Sequence, residues 1–301
     1  MVVGRGKNTK KLPALDQVLG VENGSQFYMI LGSGIRGVGP RIPLYTAPSN
    51  DLTNWTFQGA LWEVPNNYSF GGNPDITGSH GYNYEMAGIV ALPELAANGG
   101  DDTSLQWIVT VGAEGPASVN HPITHWSLFI MGTMGQRPNG SAEMSILASG
   151  VLDWGESYAL NQFYDPVNDR QVIWGWVDED LADQGVKAQG FQGSLGLPRE
   201  IFVKVYNDVL APEGGILQGA ATWTPTTDGT YVVKTLGQRP LVDVVDAIQS
   251  DFISMGEMEI SNTTLLEGVN STTLHVNFTV IEVPAKGRFS VLLRASPDME
   301  E

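Results

Sequence analysis

Short runs of β-branched and aromatic residues, bounded by Gly, Pro, Asn and Asp, recur every ten to twenty positions through most of the 301-residue chain. Gln26–Gly32, Arg41–Tyr45, Glu85–Leu92, Leu105–Gly112, Trp126–Met131, Val172–Val177 and Ile201–Tyr206 are runs of this kind. Such segments between turn formers are strands. No helical period separates them, so nothing supplies the crossovers that a parallel sheet needs. The pattern predicts an all-β sandwich, barrel or propeller rather than an α/β fold. One stretch departs from it. Leu241, Val244, Val245, Ile248 and Phe252 follow a helical period, and Pro240 suits a first helical turn, so a short helix is expected there.

Charge removes whole classes of partner. The chain has 33 Asp and Glu against 16 Lys and Arg, a net charge of −17. Binding to nucleic acid needs clustered cations, and binding to a membrane surface needs a basic amphipathic face; the chain has neither. No apolar run approaches the length of a membrane span, the longest being Met86–Leu92. Cysteine is absent, which excludes disulfides, thiolate zinc sites and a cysteine nucleophile. Compartment must be read elsewhere. Asn-X-Ser/Thr occurs at Asn23, Asn54, Asn67, Asn139, Asn262, Asn270 and Asn277, more often than 17 asparagines would give by chance. This excess is expected of a secreted glycoprotein, although turns in β-rich chains also favour Asn and Thr. Residues 1–11 are basic and polar and contain no signal-peptide core, so the chain either stays inside the cell or has its natural start further upstream.

Composition shifts near residue 200. Seven tryptophans precede it and only Trp223 follows, and the later sequence alternates more thinly, with Thr-rich segments such as Thr272–Val280. A boundary is expected there. Tryptophans in a groove stack on sugar rings, and the same residues serve as wedges between packed sheets.

Chemistry-bearing motifs are few. The chain has no Walker loop, no His-Glu-X-X-His and no Gly-X-Ser-X-Gly elbow to place His80, His121, His125 or His275 in a triad. Gly32–Gly39 is glycine-rich, but no helix pattern follows it, so it is expected to be a wide turn between strands rather than an anion cradle. No carboxylate cluster calls for a metal, and no cofactor is implied. Glu85 is the remaining candidate. It enters an apolar strand directly after Tyr82 and Tyr84, where poor solvation favours the protonated form and suits a proton donor. A strand-edge glutamate facing water is the other reading.

Six segments carry a resemblance. Asp51-Leu-Thr-Asn-Trp-Thr-Phe57, Tyr82-Asn-Tyr-Glu85, Leu152-Asp-Trp-Gly155, Phe163-Tyr-Asp-Pro166, Val172-Ile-Trp-Gly-Trp-Val177 and Gly193-Ser-Leu-Gly-Leu-Pro-Arg-Glu200 resemble consecutive landmarks of glycoside hydrolase family 32. That family comprises invertases, inulinases and fructosyltransferases, and the fungal members are the most similar. The resemblance runs from about residue 14 to 205. It implies a partial five-bladed β-propeller over 1–200 and a β-sandwich over 201–301, with the active site in the propeller funnel. It also implies retaining hydrolysis or transfer of β-fructofuranosyl units from sucrose or fructans. On this resemblance Glu85 matches the general acid/base, and Asn83, Glu114 and His125 fall where similar enzymes bind sugar. His121 is an alternative to His125.

The departures are as informative. Nothing in the chain resembles the family's Trp-Met-Asn-Asp-Pro-Asn-Gly type nucleophile motif. Where Arg-Asp-Pro belongs, upstream of Leu15-Asp-Gln-Val-Leu-Gly20, the sequence reads Arg5-Gly-Lys-Asn-Thr-Lys-Lys-Leu-Pro13. Asp165-Pro166 follows Tyr164 and belongs to a later landmark. Ser290–Pro297 resembles a mid-sandwich strand four residues before the end. The expectation is therefore a chain shortened at its amino end and in the sandwich, and inactive alone. A non-catalytic carbohydrate-binding remnant and an arabinan-acting propeller furanosidase are the alternatives; Trp-Gly-Trp and Leu-Pro-Arg-Glu argue against the latter.

Overall fold

The computed structural model describes residues 5–95, 104–118, 120–121, 123–177 and 183–249, with isolated positions beyond. The first sheet is a four-stranded antiparallel meander of β1 (Arg5–Lys10), β2 (Gln26–Ile35), β3 (Gly39–Pro48) and β4 (Thr56–Glu63). Helix α1 (Pro13–Leu19) links β1 to β2; it starts on Pro13, whose missing N–H costs nothing there, and stops at Gly20 in the left-handed region. The short helix α2 (Pro74–Thr77) leads into the second meander, β5 (Asn83–Leu95), β6 (Leu105–Glu114), β7 (His125–Gln136) and β8 (Ala142–Asp153).

The third unit begins with β9 (Ser157–Asp165) and β10 (Arg170–Val177). Helix α3 (Asp183–Gln189) and the two-residue β11 (Ser194–Leu195) follow, then β12 (Arg199–Val209), β13 (Ala221–Pro225) and β14 (Tyr231–Pro240). Its strands pair antiparallel in the order β9, β10, β12, β14, β13. A short parallel pairing of Val203 and Lys204 with Glu94 and Leu95 joins it to β5, so β5–β14 form one ten-stranded sheet. Successive antiparallel meanders of about four strands are the blades of a partial β-propeller.

Two cores explain why some strands are so plain in the sequence. Trp107, Val109 and Val111 of β6 and Leu128 and Ile130 of β7 pack toward the first sheet with Ile30, Ile42, Leu44 and Leu61. The alternate residues Ile108, Phe129 and Met131 pack with Leu160, Ile173, Ile201 and Val203 of the third unit. Strands β6 and β7 are thus buried on both faces and appear as unbroken apolar runs. Trp62, Trp107 and Trp126 are buried wedges, whereas Trp154 and Trp174 are exposed.

The glycine-rich segment differs from expectation. Strand β2 continues to Ile35 and β3 begins at Gly39, which leaves only Arg36–Val38 as turn. Gly32 and Gly34 serve close approach instead. A β-carbon at Gly32 would stand 2.7 Å from the backbone of Tyr84 and Glu85, and one at Gly34 would stand 2.6 Å from the Tyr82 carbonyl oxygen.

The chain divides into compact units at 1–241 and 242–301. Strands β12–β14 belong to the first, carrying the ten-stranded sheet past residue 200. In the second, the expected helix is α4 (Val242–Ile248); Phe252, most of Thr272–Val280 and all of Ser290–Pro297 lie outside the described residues, as do most positions after residue 249. No helix among the described residues is long and apolar enough to cross a membrane.

Candidate functional site

Register alone gathers the candidate residues. Asn83 and Glu85 stand two apart on β5 and share a face. Asn83 lies opposite Glu114 of β6, and Glu114 lies opposite His125 of β7. Asn83, Glu85, Glu114 and His125 therefore occupy one end of three adjacent strands, and all four are half-buried.

Contacts fix their orientation. The Asn83 side-chain amide donates to Glu114 Oε2 at 2.6 Å. The buried Tyr158 of β9 donates its phenolic O–H to Glu85 Oε2 at 3.0 Å. Gly112, opposite Glu85, makes this reach possible: a β-carbon there would stand 2.7 Å from the Tyr158 hydroxyl oxygen. His125 tilts against the Tyr158 ring at 4.4 Å, and Trp176 meets Tyr158 edge-on at 5.9 Å. Glu85 is thus no strand-edge carboxylate facing open water.

Two bulges flank the cluster. Pairing of β5 with β6 shifts between Glu85 and Ala87, where Met86 has a φ of 46°; Ala159, next to Tyr158, has a φ of 50°, and β9–β10 pairing shifts between Trp174 and Trp176. Bulges re-aim neighbouring side chains, and non-glycine residues rarely hold such a φ unless the surroundings impose it.

The other candidates lie elsewhere. His121 is buried and parallel to Trp126 at 3.9 Å, and its Nε2 accepts from the Ser79 N–H at 3.1 Å. Burial pushes it down to about 4, and it is not brought to Glu85 as His125 is. His80 is buried beside Tyr84 and Ser149. Asp165 closes a hairpin, accepting from the Val167 N–H, the Asn168 amide and Arg170. Asn23, Asn54, Asn67 and Asn139 are exposed; Asn262, Asn270, Asn277 and His275 lie outside the described residues. Among the described residues no group of three or more His, Asp or Glu is placed to hold a metal ion.

Tyr158 is the residue that sequence reasoning missed. Its one signal is position, five residues after Asp153 in the Leu-Asp-Trp-Gly landmark. Together the cluster offers a carboxyl able to exchange a proton, a carboxylate–amide pair that both accepts and donates, and an imidazole among aromatics. Such a set suits a neutral polyhydroxylated ligand.

Comparison with known proteins adds to this. The sequence model described as the glycosyl hydrolases family 32 N-terminal domain matches residues 17–212. A 6(G)-fructosyltransferase of Asparagus officinalis is 31% identical over 108 residues, 36% of this chain and 18% of that protein. An insoluble beta-fructofuranosidase isoenzyme of Arabidopsis thaliana is 28% identical over 158 residues, 50% of this chain and 26% of its own. Among solved structures, the Aspergillus kawachii beta-fructofuranosidase complexed with glycerol superposes with a TM-score of 0.69 at 25% identity, over 81% of this chain and 42% of that one. The fructosyltransferase from A. japonicus gives 0.69 at 23% identity, over 81% and 45%. The chain thus spans about a quarter or less of these curated relatives and less than half of these solved chains.

Proposed function

The chain belongs to glycoside hydrolase family 32, and on that premise we propose that the cluster around Glu85 binds a β-fructofuranosyl unit of sucrose or a fructan, with Glu85 in the acid/base position. In the retaining scheme this carboxyl protonates the leaving glycosidic oxygen and then draws a proton from water. Tyr158 holds one carboxylate oxygen of Glu85 in place; the Asn83–Glu114 pair and His125 meet sugar hydroxyls. The observation that carries the reading is the strand register that brings these four residues together, with a phenol from a separate blade on Glu85.

The same scheme needs a carboxylate nucleophile, and the 301 residues contain neither its motif nor Arg-Asp-Pro. Without a nucleophile the covalent step has no substitute at that geometry. The polypeptide alone binds sugar and turns over sucrose negligibly. Calorimetry with sucrose, fructose and inulin, alongside a reducing-sugar assay, tests both halves. Heat without turnover is expected. Glu85-dependent hydrolysis overturns the inactivity, and absence of heat from all three sugars overturns the site.

A non-catalytic carbohydrate binder is the second reading, favoured by an assembled binding face that lacks a nucleophile. Supplying a segment that carries the missing motif separates the two: restored turnover marks a piece of an enzyme, and unchanged binding without turnover marks a binder. Asn23, Asn54, Asn67 and Asn139, all exposed, are proposed glycan acceptors of a secreted protein. Intact mass before and after enzymatic deglycosylation of material from a eukaryotic secretory host tests this.

A further inference from the structure

The corner between β8 and β9 presents an aromatic ring that the Glu85 cluster does not use. Trp154 is 48% exposed. Its ring lies parallel to His121, 11° apart and 5.7 Å between centroids, and His121 lies parallel to Trp126 within 2° at 3.9 Å. The inner rings are locked to one stretch of backbone: the Trp126 indole N–H donates to the Ser79 carbonyl at 2.7 Å, and His121 Nε2 accepts from the Ser79 N–H at 3.1 Å. Burial keeps the imidazole neutral at ordinary pH, so the stack carries no charge.

The corner itself is clamped. Asp153 accepts from the Gly155 N–H at 2.9 Å and from Arg199 Nη2 at 2.5 Å. Arg199 Nη1 and the Gln238 amide both donate to the Leu152 carbonyl, at 3.4 and 2.8 Å. Single exposed apolar residues are ordinary and need no explanation. Trp154 differs because its orientation is imposed by a stack and a clamp that nevertheless leave half of it in water.

Its position ties it to the site. Asp153 lies opposite Ser127, two residues from His125, and Trp154 precedes Tyr158 by four residues. The Cα atoms of Trp154 and Tyr158 are therefore at most about 14 Å apart, within reach of a short oligosaccharide whose end is held at Glu85. We propose that Trp154 is a second carbohydrate platform, stacking a further ring of an oligosaccharide beyond the fructosyl unit, and so sets a preference for chain length. The proposal rests on the reading of the Glu85 cluster as a sugar site.

Calorimetry of the full chain with fructose and with inulin-type oligosaccharides of increasing length tests it. Wild-type protein is expected to bind the longer oligosaccharides more tightly than fructose. Trp154→Ala is expected to weaken them by about five- to tenfold and leave fructose unchanged, and Trp154→Phe, which keeps a stacking ring, to recover much of the loss. If Trp154→Ala leaves the ratio of oligosaccharide to fructose affinity unchanged, the platform is refuted and the Glu85 site stands. If wild type binds no sugar, the site reading fails and the platform with it. If Trp154→Ala melts before the titration, Trp154→Gln takes its place: a ratio of oligosaccharide to fructose affinity equal to wild type refutes the platform, and a ratio lowered about five- to tenfold supports it.

Discussion

Both ring nitrogens of His80 are engaged away from water. Ser149 donates its hydroxyl to the Phe129 carbonyl at 3.0 Å, so it accepts from His80 Nε2–H at 3.2 Å, which leaves Nδ1 to accept from the Tyr84 hydroxyl. A second proton would fall between Nδ1 and the phenol. Burial accordingly pushes His80 down to about 4 from the ordinary 6.5. The unfolded chain then binds more protons than the folded one between those values. Stability from this group is complete above pH 6.5 and is lost as pH falls toward 4, by about 3 kcal/mol; His121 acts in the same direction. Urea unfolding at pH 7 and pH 4.5 checks it: His80→Gln should cost about 2 kcal/mol at pH 7 and show a shallower acid loss than wild type. An equal acid loss in both proteins would assign the effect to other groups. At this scale the sequence was partly legible. Asn83 and Glu85 stand within a landmark, Glu114 and His125 were expected only from where similar enzymes bind sugar, and register brings the four together. Tyr158 was not legible, because nothing near residue 158 reveals a partner 73 positions away.

Strands with two buried faces declared themselves, and strands with other duties did not. Strand β8, Ala142–Asp153, mixes small and polar residues along an outer edge, and β1, Arg5–Lys10, has no apolar residue at all; both escape a search for apolar runs. The glycines of β2 looked like a turn because close approach and chain reversal select the same residue. They can be told apart experimentally. Gly32→Ala drives a β-carbon into the backbone that carries Glu85, and is expected to cost about 2 kcal/mol and to weaken sugar binding in the protein that remains folded. Gly37→Ala, in the true turn with φ 79° and open space around it, should cost about 1 kcal/mol and leave binding unchanged. Equal binding losses would contradict the crossing of β2 over β5. A second tie is ionic. Glu94 of β5, 4% exposed, accepts from Lys234 of β14 at 2.5 Å and from the Gln106 amide at 2.7 Å. Lys234→Met strands a buried carboxylate and should cost about 3 kcal/mol. Adding Glu94→Gln should restore part of that, and a double variant no more stable than the single would show that the charge is not what is missed.

For the whole molecule, the all-β class and the propeller blades follow from periodicity and landmark order, whereas the extent of the first compact unit, to Leu241, does not. Of the seven tryptophans before residue 200 only Trp62, Trp107 and Trp126 are buried, so the shift in their density does not mark where the sheet ends, and β12 and β14 continue it past residue 200. Net charge acts on the molecule at this scale too. With 33 acidic and 16 basic side chains, pairing every cation with one carboxylate would still leave 33 − 16 = 17 carboxylates without a cation. Surface pairs such as Arg239–Glu200 and Arg137–Glu143, unlike Lys234–Glu94, are partly solvated and each contributes little. Folding brings the unmatched charges closer than they are in the expanded chain, so self-repulsion opposes the compact state. Raising sodium chloride from about 20 mM to about 0.3 M shortens the screening length from about 20 Å to about 6 Å, which suppresses this long-range repulsion more than the contacts within ion pairs. At pH 7, where His80 and His121 are neutral in the folded protein, the thermal midpoint should therefore rise with sodium chloride. Chloride is the right anion for the titration because sulfate also stabilises by exclusion from the surface. A midpoint that stays flat or falls would mean that local pairs outweigh the net charge. In that case neutralising Arg239 or Arg137 should destabilise the protein more at low salt than at high, which the same melting series would reveal.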